Sequence, residues 1–561
     1  MLRWNRLQRF QRDDPSPRYQ RAEHMTAVMS PPEPPIRAES LQPPPPLADA
    51  SMLEDKVPEG LKASRVLAGF SVFIGLLFLF LSFRPLWHTD LWGHMAYGRT
   101  LVTTRSLPAT EPLMPLASGV RFVDTAWLTQ VIGYAMYDKF GFTSMSFLYA
   151  TSITLMAVLL LYRGYQRSQS VGITLAGLLL WMWGCWQHLN IIRPQLAGML
   201  CFTILLTLVT SRHRRTWQWF AVPLLFAVWA NLHGSFFVGF VLLAGLAVGR
   251  AIDLAVRCGE FRAVHRDSQV RRYVLMLELA AVATLINPYG LGLYAEVLSI
   301  SNNPNVAELV EWGPLQLRMS QGQATAAIGL LLIVLYRMSP RRVASAEVLL
   351  LFGFGAAALW SSRMLVWWIP LASYYGVVHA SAIWHAWMQP LETLAPSPRN
   401  GRWSVITVGA IWFCVAITPF GGRLLHGDNG KLKVARMVSS QTPLGVVQYL
   451  KKMAEEKKIP RGQAFNTYEW GDYLLWSGPK EVKVFVASHA HLIPREVWSD
   501  YVAISNGSAD WDDRLDRYGV NLIILDEATH DGLIRKLREN DQWSATYSDN
   551  VGTVFVRKKP V

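Results

Sequence analysis

Long apolar runs separated by short polar breaks occupy most of the chain. Runs close to the roughly 20 residues that cross a bilayer as one helix fall at 66–86, 143–162, 170–188, 195–211, 216–231, 234–249, 273–287, 324–336, 345–361, 364–384 and 403–419. The pattern predicts a polytopic α-helical membrane protein with about eleven spans. Two regions break it. Residues 87–142 form a long polar and aromatic loop after the first run, and beyond about residue 440 the runs give way to amphipathic and alternating segments. There, TPLGVVQYLKKMAEEKK reads as an amphipathic helix started at Thr442–Pro443. GQAFNTYEWGDYLLW and VKVFVASHAHLI read as strands, WDDRLDRYGVNLIILDEA as helix then strand, DGLIRKLREND as a helix and TVFVRK as a last strand. The expected organisation is a tail over 1–62, a multi-span membrane domain over 63–425 and a small C-terminal α/β domain over 440–561.

Composition agrees with a membrane protein. The 561 residues are 51% hydrophobic and 17% charged, against roughly 25% charged in soluble domains. The net charge of +14 raises the question of nucleic acid, and the placement of the charges answers it. Breaks at 163–169, 212–215, 250–272, 337–343 and 385–402 hold sixteen Lys and Arg, whereas the alternate set, nearly twice as long, holds seven. Basic loops stay cytoplasmic, so the Arg-rich N-terminus is expected inside and the C-terminal domain outside. The excess charge then reflects topology, and no nucleic-acid partner is implied. Residues 31–46 are dominated by proline and read as a disordered or polyproline-like tail, with Met25, Met29 and Met52 as alternative starts. The first run is longer than a signal-peptide core and reads as an uncleaved span. The four cysteines, Cys185, Cys201, Cys258 and Cys414, form no close pair, so neither a disulfide framework nor a zinc site is indicated.

Polar residues collect at the outer ends of the runs. Asp90 and His94 follow the first; His188, Asn190, Arg193 and Gln195 stand in QHLNIIRPQ; Asn231 and His233 in WANLHGSF; Asn287 in NPYG; Arg363 in SSRMLVWW. Any one of these can cap a helix, and Asp90 stands where an N-cap would. As a set drawn from five outer turns they predict a polar cavity opening outward, because ionisable groups near a bilayer need water, a partner or a ligand. Asp90, His94 and Gly98 share one face of a short helix, and Trp127–Phe140 has the spacing of a second, interfacial helix. Trp87 and Trp92 suit an aromatic belt. In the C-terminal region His489 and His491 would share a face if that segment is a strand, where such a pair either faces solvent or binds a metal, and Glu469 and Asp472 suit an acceptor site or a solvated surface equally.

The loop resembles that of an uncharacterised bacterial group within the GT-C-fold membrane glycosyltransferases, the superfamily of protein O-mannosyltransferases, oligosaccharyltransferases and lipid A aminoarabinose transferases. The group's D-x-D-L-W-W-H-L-A-x-G pattern, its proline turn and its Trp-Leu are matched at Asp90, Leu91, Trp92, His94, Gly98, Pro108, Pro112, Trp127 and Leu128. Asn466, Trp470, Gly471, Tyr473, Leu474 and Trp476 match its C-terminal domain. The sequence departs from the pattern at His88, Gly93, Glu111 and Ala126. The resemblance implies sugar transfer from a polyprenyl-phosphate donor to a glycan, lipid or protein acceptor at the outer face of a bacterial cytoplasmic membrane. Asp90 would be the general base, with His94 beside it. Arg193 and Arg363 would hold the phosphate, assisted by His188, Asn190, His233 and Glu111. No nucleotide is required. A divalent metal is the one cofactor the group implies, and the acids missing at His88 and Ala126 leave Asp90 the sole acid of its motif. The alternatives are a GT-C-like glycan polymerase or ligase, a transporter or flippase, and a non-catalytic assembly protein.

Overall fold

The computed structural model describes residues 57–560 except 88, 212–214, 260, 389–397 and 428–433. Most of the expected tail, and His88, lie outside the described residues. Helix α1 (Arg65–Ser82) fills the first apolar run, and α2 (Leu91–Thr104) and α3 (Trp127–Phe140) form within the long loop. They are followed by α4 (Thr143–Ser168), α5 (Val171–Leu189), α6 (Gln195–Val209), α7 (Gln218–Leu232), α8 (Phe236–Cys258), α9 (Phe261–Arg266) and α10 (Ser268–Ala283). Next come α11 (Gly292–Ser301), α12 (Pro304–Ala307), α13 (Ser320–Met338), α14 (Ser345–Trp360), α15 (Leu365–Trp387), α16 (Gly401–Ala416) and α17 (Pro419–His426). A two-stranded ribbon pairs β1 (Ala63–Ser64) with β2 (Arg399–Asn400).

By length and composition, three helices among the described residues can cross a membrane: α1, α4 and α8 over Phe236–Val256. α16 and α17, bent by 84° at their junction, make a broken fourth, and α6, α7 and α14 are shorter apolar helices. α5, α13 and α15 have 19, 19 and 23 residues, but Trp, Tyr, His and Gln side chains dilute their hydropathy. The outward faces carry large apolar side chains such as Phe220 (78% exposed) and Phe352 (75%), which suits lipid rather than water. Small residues set the helix spacing: a Cβ on Gly177 of α5 would stand 2.2 Å from Val377 of α15, and one on Gly184 would stand 2.7 Å from Ile369. Larger residues at either position would push α5 off α15.

The C-terminal part holds α18 (Leu444–Glu455), β3 (Gln463–Asn466), α19 (Tyr468–Ser477), β4 (Lys483–Val484), α20 (Arg495–Ser505), α21 (Trp511–Arg517), β5 (Val520–Asp526), α22 (Asp531–Glu539), β6 (Trp543–Ser548) and β7 (Gly552–Arg557). The sheet order is β4-β3-β5-β7-β6, with β3 parallel to β4 and β5, and β7 antiparallel to its neighbours. The segment expected as one strand over GQAFNTYEWGDYLLW is a strand only to Asn466 and then a helix. Trp470, Tyr473 and Leu474, at helical spacing, are its buried face.

That face lies against α2. Trp92 stacks on Phe142 at 5.4 Å and meets Tyr473 edge-on at 5.0 Å, and at 3% exposure it belongs to the core rather than to an aromatic belt. Arg99 donates to the carbonyls of Leu475 and Trp476 at 3.1 Å each, its guanidinium 4.8 Å above the Trp476 ring. A Cβ on Gly98 would stand 2.3 Å from the Gln130 carbonyl oxygen, so only glycine allows α2 to lie this close to α3. On the far side, Asn305 donates to the carbonyls of Ala490 and Ile493, and Glu308 accepts from Arg495 and Trp498. The long loop and the C-terminal sheet are thereby fixed around one opening.

Candidate active site

Asp90 starts α2 in an unusual way. Its φ of 59° and ψ of −49°, with the Leu91 N–H donating to the Thr89 carbonyl at 2.6 Å, make it the centre of a γ-turn of the strained hand. It occupies the N-cap position, yet its side chain caps nothing. The carboxylate, 24% exposed, instead faces Arg193 at 3.5 Å. Such strain persists only where surrounding packing imposes it, and it clusters at functional sites.

From Asp90 the charges form a chain. Arg193, in the turn before α6, reaches Glu311 at 2.6 Å, and the other oxygen of Glu311 reaches Arg363 at 2.6 Å. Arg363 lies in the turn between α14 and α15, its guanidinium 4.8 Å over the Trp312 ring. His188 Nδ1 is 3.5 Å from Arg193. Desolvation raises the pKa of Asp90 against the pull of Arg193 and Arg363, which leaves it a stronger base than an exposed aspartate. Glu311 is desolvated as well, but Arg363 and Arg193 outweigh that and hold it down at about 2.

These groups line a cavity of about 650 Å³. Its wall also includes His94, Asp124, His233, Tyr468, His489 and His491. Gln130 Nε2 donates to Asp124 Oδ1 at 3.0 Å and lies 3.2 Å from His94 Nδ1. Nδ1 thus accepts, and the proton of the neutral ring belongs on Nε2. Desolvation and the two arginines push His94 down to about 3, and desolvation with Arg363 pushes His491 to about 4. Asp124, buried with little compensation, is raised to about 7. A side pocket of about 180 Å³, with Met95, Ile132, Leu148, Tyr149 and Leu196 in its wall, adjoins the cavity and shares His94, Gln130, Arg193 and Pro194 with it.

Of the eight residues that the resemblance assigns to the site, Asp90, His94, Arg193, His233 and Arg363 meet in this cavity, and Gln195 of the polar set joins them. Three do not. Glu111 turns inward: Oε1 accepts from the N–H groups of Leu113 and Met114, and Oε2 from the Tyr97 hydroxyl at 2.8 Å. Asn190 ends α5 away from the cavity, and His188 stands behind Arg193. His489 and His491 lie around a 3-10 turn, not on a strand, with ring centroids 5.7 Å apart. Asp472, expected at the surface, is 1% exposed; it accepts from the Ser488 N–H and lies against Gly93, whose missing side chain makes the room. Among the described residues no three His, Cys, Asp or Glu side chains are placed to hold a metal ion. Of the cavity carboxylates, Glu311 is shared by two arginines, Asp90 faces Arg193 through one oxygen, and Asp124 accepts from Gln130 through Oδ1 while its Oδ2 has no hydrogen-bond partner.

Several solved structures are similar to the chain. ArnT from Cupriavidus metallidurans bound to undecaprenyl phosphate shares 12% identity over 87% of this chain and 97% of that one, with a TM-score of 0.46. The archaeal oligosaccharyltransferase AglB from Archaeoglobus fulgidus, in complex with an inhibitory peptide and a dolichol-phosphate, shares 10% over 82% and 69%, TM-score 0.46. Arabinofuranosyltransferase AftD from Mycobacteria shares 13% over 88% and 42%, TM-score 0.48. No family model and no curated protein matches the chain.

Glu311 is the functional candidate that sequence reasoning missed. Its segment, NVAELVEWGP, carries two acids three residues apart in a stretch without clear periodicity. Nothing in that pattern tells which acid faces the cavity. The adjacent Trp312, an aromatic beside an acid in a loop, is the one available signal.

Proposed function

We propose that the protein is a membrane glycosyltransferase of the cell envelope. It transfers a sugar from a polyprenyl-phosphate-linked donor to an acceptor hydroxyl at the outer face of a bacterial cytoplasmic membrane, with the N-terminus cytoplasmic and the C-terminal α/β region outside. The observation that carries this reading is the strained Asp90 carboxylate facing an open cavity opposite a pair of arginines, with an apolar pocket adjoining through Arg193. Such a site can admit a polyprenyl chain from the side and hold a phosphate at Arg193 and Arg363, where guanidinium geometry suits two phosphate oxygens.

In the reaction, Asp90 takes the proton of the acceptor hydroxyl as its oxygen attacks the anomeric carbon. The bond from that carbon to the phosphate oxygen breaks, and the lipid phosphate leaves with the electron pair. Charge develops on the phosphate, where the arginines stabilise it. His94 contributes an Nε2–H donor toward the sugar, and His188 steadies Arg193 from behind.

The test uses purified protein in lipid nanodiscs with a panel of undecaprenyl-phosphate sugars, following release of undecaprenyl phosphate. Arg363→Lys, which keeps the charge but loses the planar fork, is expected to raise the donor concentration needed by about tenfold. Arg193→Lys should behave alike. If neither substitution changes donor use, the phosphate is bound elsewhere. Labelling of a cysteine introduced at Asp513 only after cell lysis would overturn the orientation.

A further inference from the structure

Glu311 stands where the preceding reading puts the donor phosphate, one carboxylate oxygen on each guanidinium at 2.6 Å. We propose that it is an internal competitor for that phosphate. Its carboxylate bridges the arginines in the free protein, swings aside when the lipid phosphate enters, and returns to help expel the lipid monophosphate product. The inference rests on the assignment of Arg193 and Arg363 to the phosphate.

Three features support an exchange over a fixed ion pair. First, both arginines keep another anchor when Glu311 leaves. Arg363 lies over the Trp312 ring at 4.8 Å, and Arg193 has Asp90 at 3.5 Å and His188 at 3.5 Å. Second, the turn carrying Glu311 is held through its backbone, so the side chain can rotate without it. Ser362 Oγ donates to the Glu311 carbonyl at 2.9 Å, and the Ser362 N–H donates to the Gly313 carbonyl at 3.0 Å. The Glu311 side chain is 31% exposed and already borders the cavity.

The third feature is charge. Two guanidiniums face two carboxylates, Asp90 and Glu311, and the four balance. A phosphodiester added to all four would leave an unpaired negative charge in a poorly solvated cavity. Replacing Glu311 keeps the balance at Arg193 and Arg363. The product, a phosphate monoester, carries more charge than the donor diester and binds the arginines more strongly. A carboxylate waiting beside them opposes that retention.

Direct binding of undecaprenyl phosphate to the purified full-length protein tests this without turnover. Glu311→Gln keeps the shape and removes the charge. It is expected to bind about tenfold more tightly than the parent and to release the lipid more slowly. Glu311→Asp, one methylene shorter, cannot reach both arginines and should bind severalfold more tightly. It also serves if the Gln variant fails to fold. Affinity equal to or weaker than the parent in the folded variants, with Arg363→Lys weaker, would overturn the proposal: Glu311 would then hold the arginines in place for the phosphate. If Arg193→Lys and Arg363→Lys also bind like the parent, the phosphate assignment itself has failed.

Discussion

Two groups of acids and cations lie at opposite ends of α15, roughly 20 Å apart by helix rise. At one end is the chain Asp90–Arg193–Glu311–Arg363. At the other, Glu347 of α14 accepts from the Tyr336 hydroxyl at 3.2 Å, from Arg341 at 2.8 Å and from His379 of α15 at 3.0 Å. In the second group the acid is sealed: Glu347 is 2% and His379 0% exposed, while Arg341 beside Glu347 reaches solvent at 39%, and neither Glu347 nor His379 lines the cavity or the side pocket. In the first group Asp90, Glu311 and Arg363 keep 24%, 31% and 23% exposure, and all face the cavity. Buried charge in a membrane protein therefore does not by itself mark a site. The group at the cavity is set apart by adjoining space, carboxylate surface facing it, and the strained backbone at Asp90.

The comparison predicts opposite phenotypes. Asp90→Asn keeps the size, and asparagine tolerates positive φ, so the fold should survive. Amide cannot accept the acceptor's proton, and transfer should fall by about 10²–10⁴. Glu347→Ala should do the reverse. It leaves the buried His379 without its hydrogen-bond partner and should cost about 1–3 kcal/mol of stability, read as the thermal midpoint in detergent, while turnover per folded molecule is unchanged. An active Asp90→Asn at equal expression would make Asp124 the next candidate base. A normally stable Glu347→Ala would remove the structural role of the sealed group.

What was legible in the sequence follows from periodicity and position. The helices α1, α3 and α4 sit where apolar spacing predicted them, and six of the cavity residues, Asp90, His94, Arg193, Gln195, His233 and Arg363, stand among the polar residues picked out beside the ends of the apolar runs. Side-chain direction within irregular loops could not be read. Glu111 and Asp124 are acids of the same loop, yet only Asp124 reaches the cavity, because Glu111 satisfies two backbone N–H groups of its own turn. Glu308 and Glu311 divide in the same way, the first going to Arg495 and Trp498 and the second to the arginine pair. The misread strand at NTYEWGDYLLW has a similar cause: its polar and apolar residues fit either period, and contact with Trp92 and Phe142 decides for helix.

A third prediction concerns pH. Asp124 and Asp472, desolvated and 3% and 1% exposed, are both raised to about 7. Between about pH 4 and 7 these two acids bind more protons in the folded protein than in the unfolded chain, so the stability they contribute is present at the acid end of this window and is lost as pH climbs. His94 and His491, held at about 3 and 4, and His489, held well below its ordinary value, act in the opposite sense below about pH 6.5, so the acids' contribution is read as a difference from a variant. Between about pH 5 and pH 8 the parent should lose about 1–3 kcal/mol of stability relative to Asp124→Asn, whose amide does not titrate. Activity should fall on the acid side as Asp90 takes up its proton. A difference in thermal midpoint between parent and Asp124→Asn that does not change over this range would mean that Asp124 is compensated in solution.

The smallest expected effect tests the strain itself. At Asp90 a side chain is held at a φ of 59°, where glycine pays no steric penalty. Such a residue costs about 1–3 kcal/mol, while glycine gives back about 0.5–1 kcal/mol through the freedom of the unfolded chain. Asp90→Gly should therefore be inactive yet about 1 kcal/mol more stable than the parent. Arg193 is not left unpaired, because Glu311 remains at 2.6 Å. No comparable gain is available in the sealed group, where every truncation removes a hydrogen bond and relieves no strain. If Asp90→Gly lowers the thermal midpoint, the γ-turn is not strained in the folded protein, and the Asp90–Arg193 contact is contributing stability as a structural ion pair. The group at the cavity would then resemble the one around Glu347, and the cavity alone would separate them.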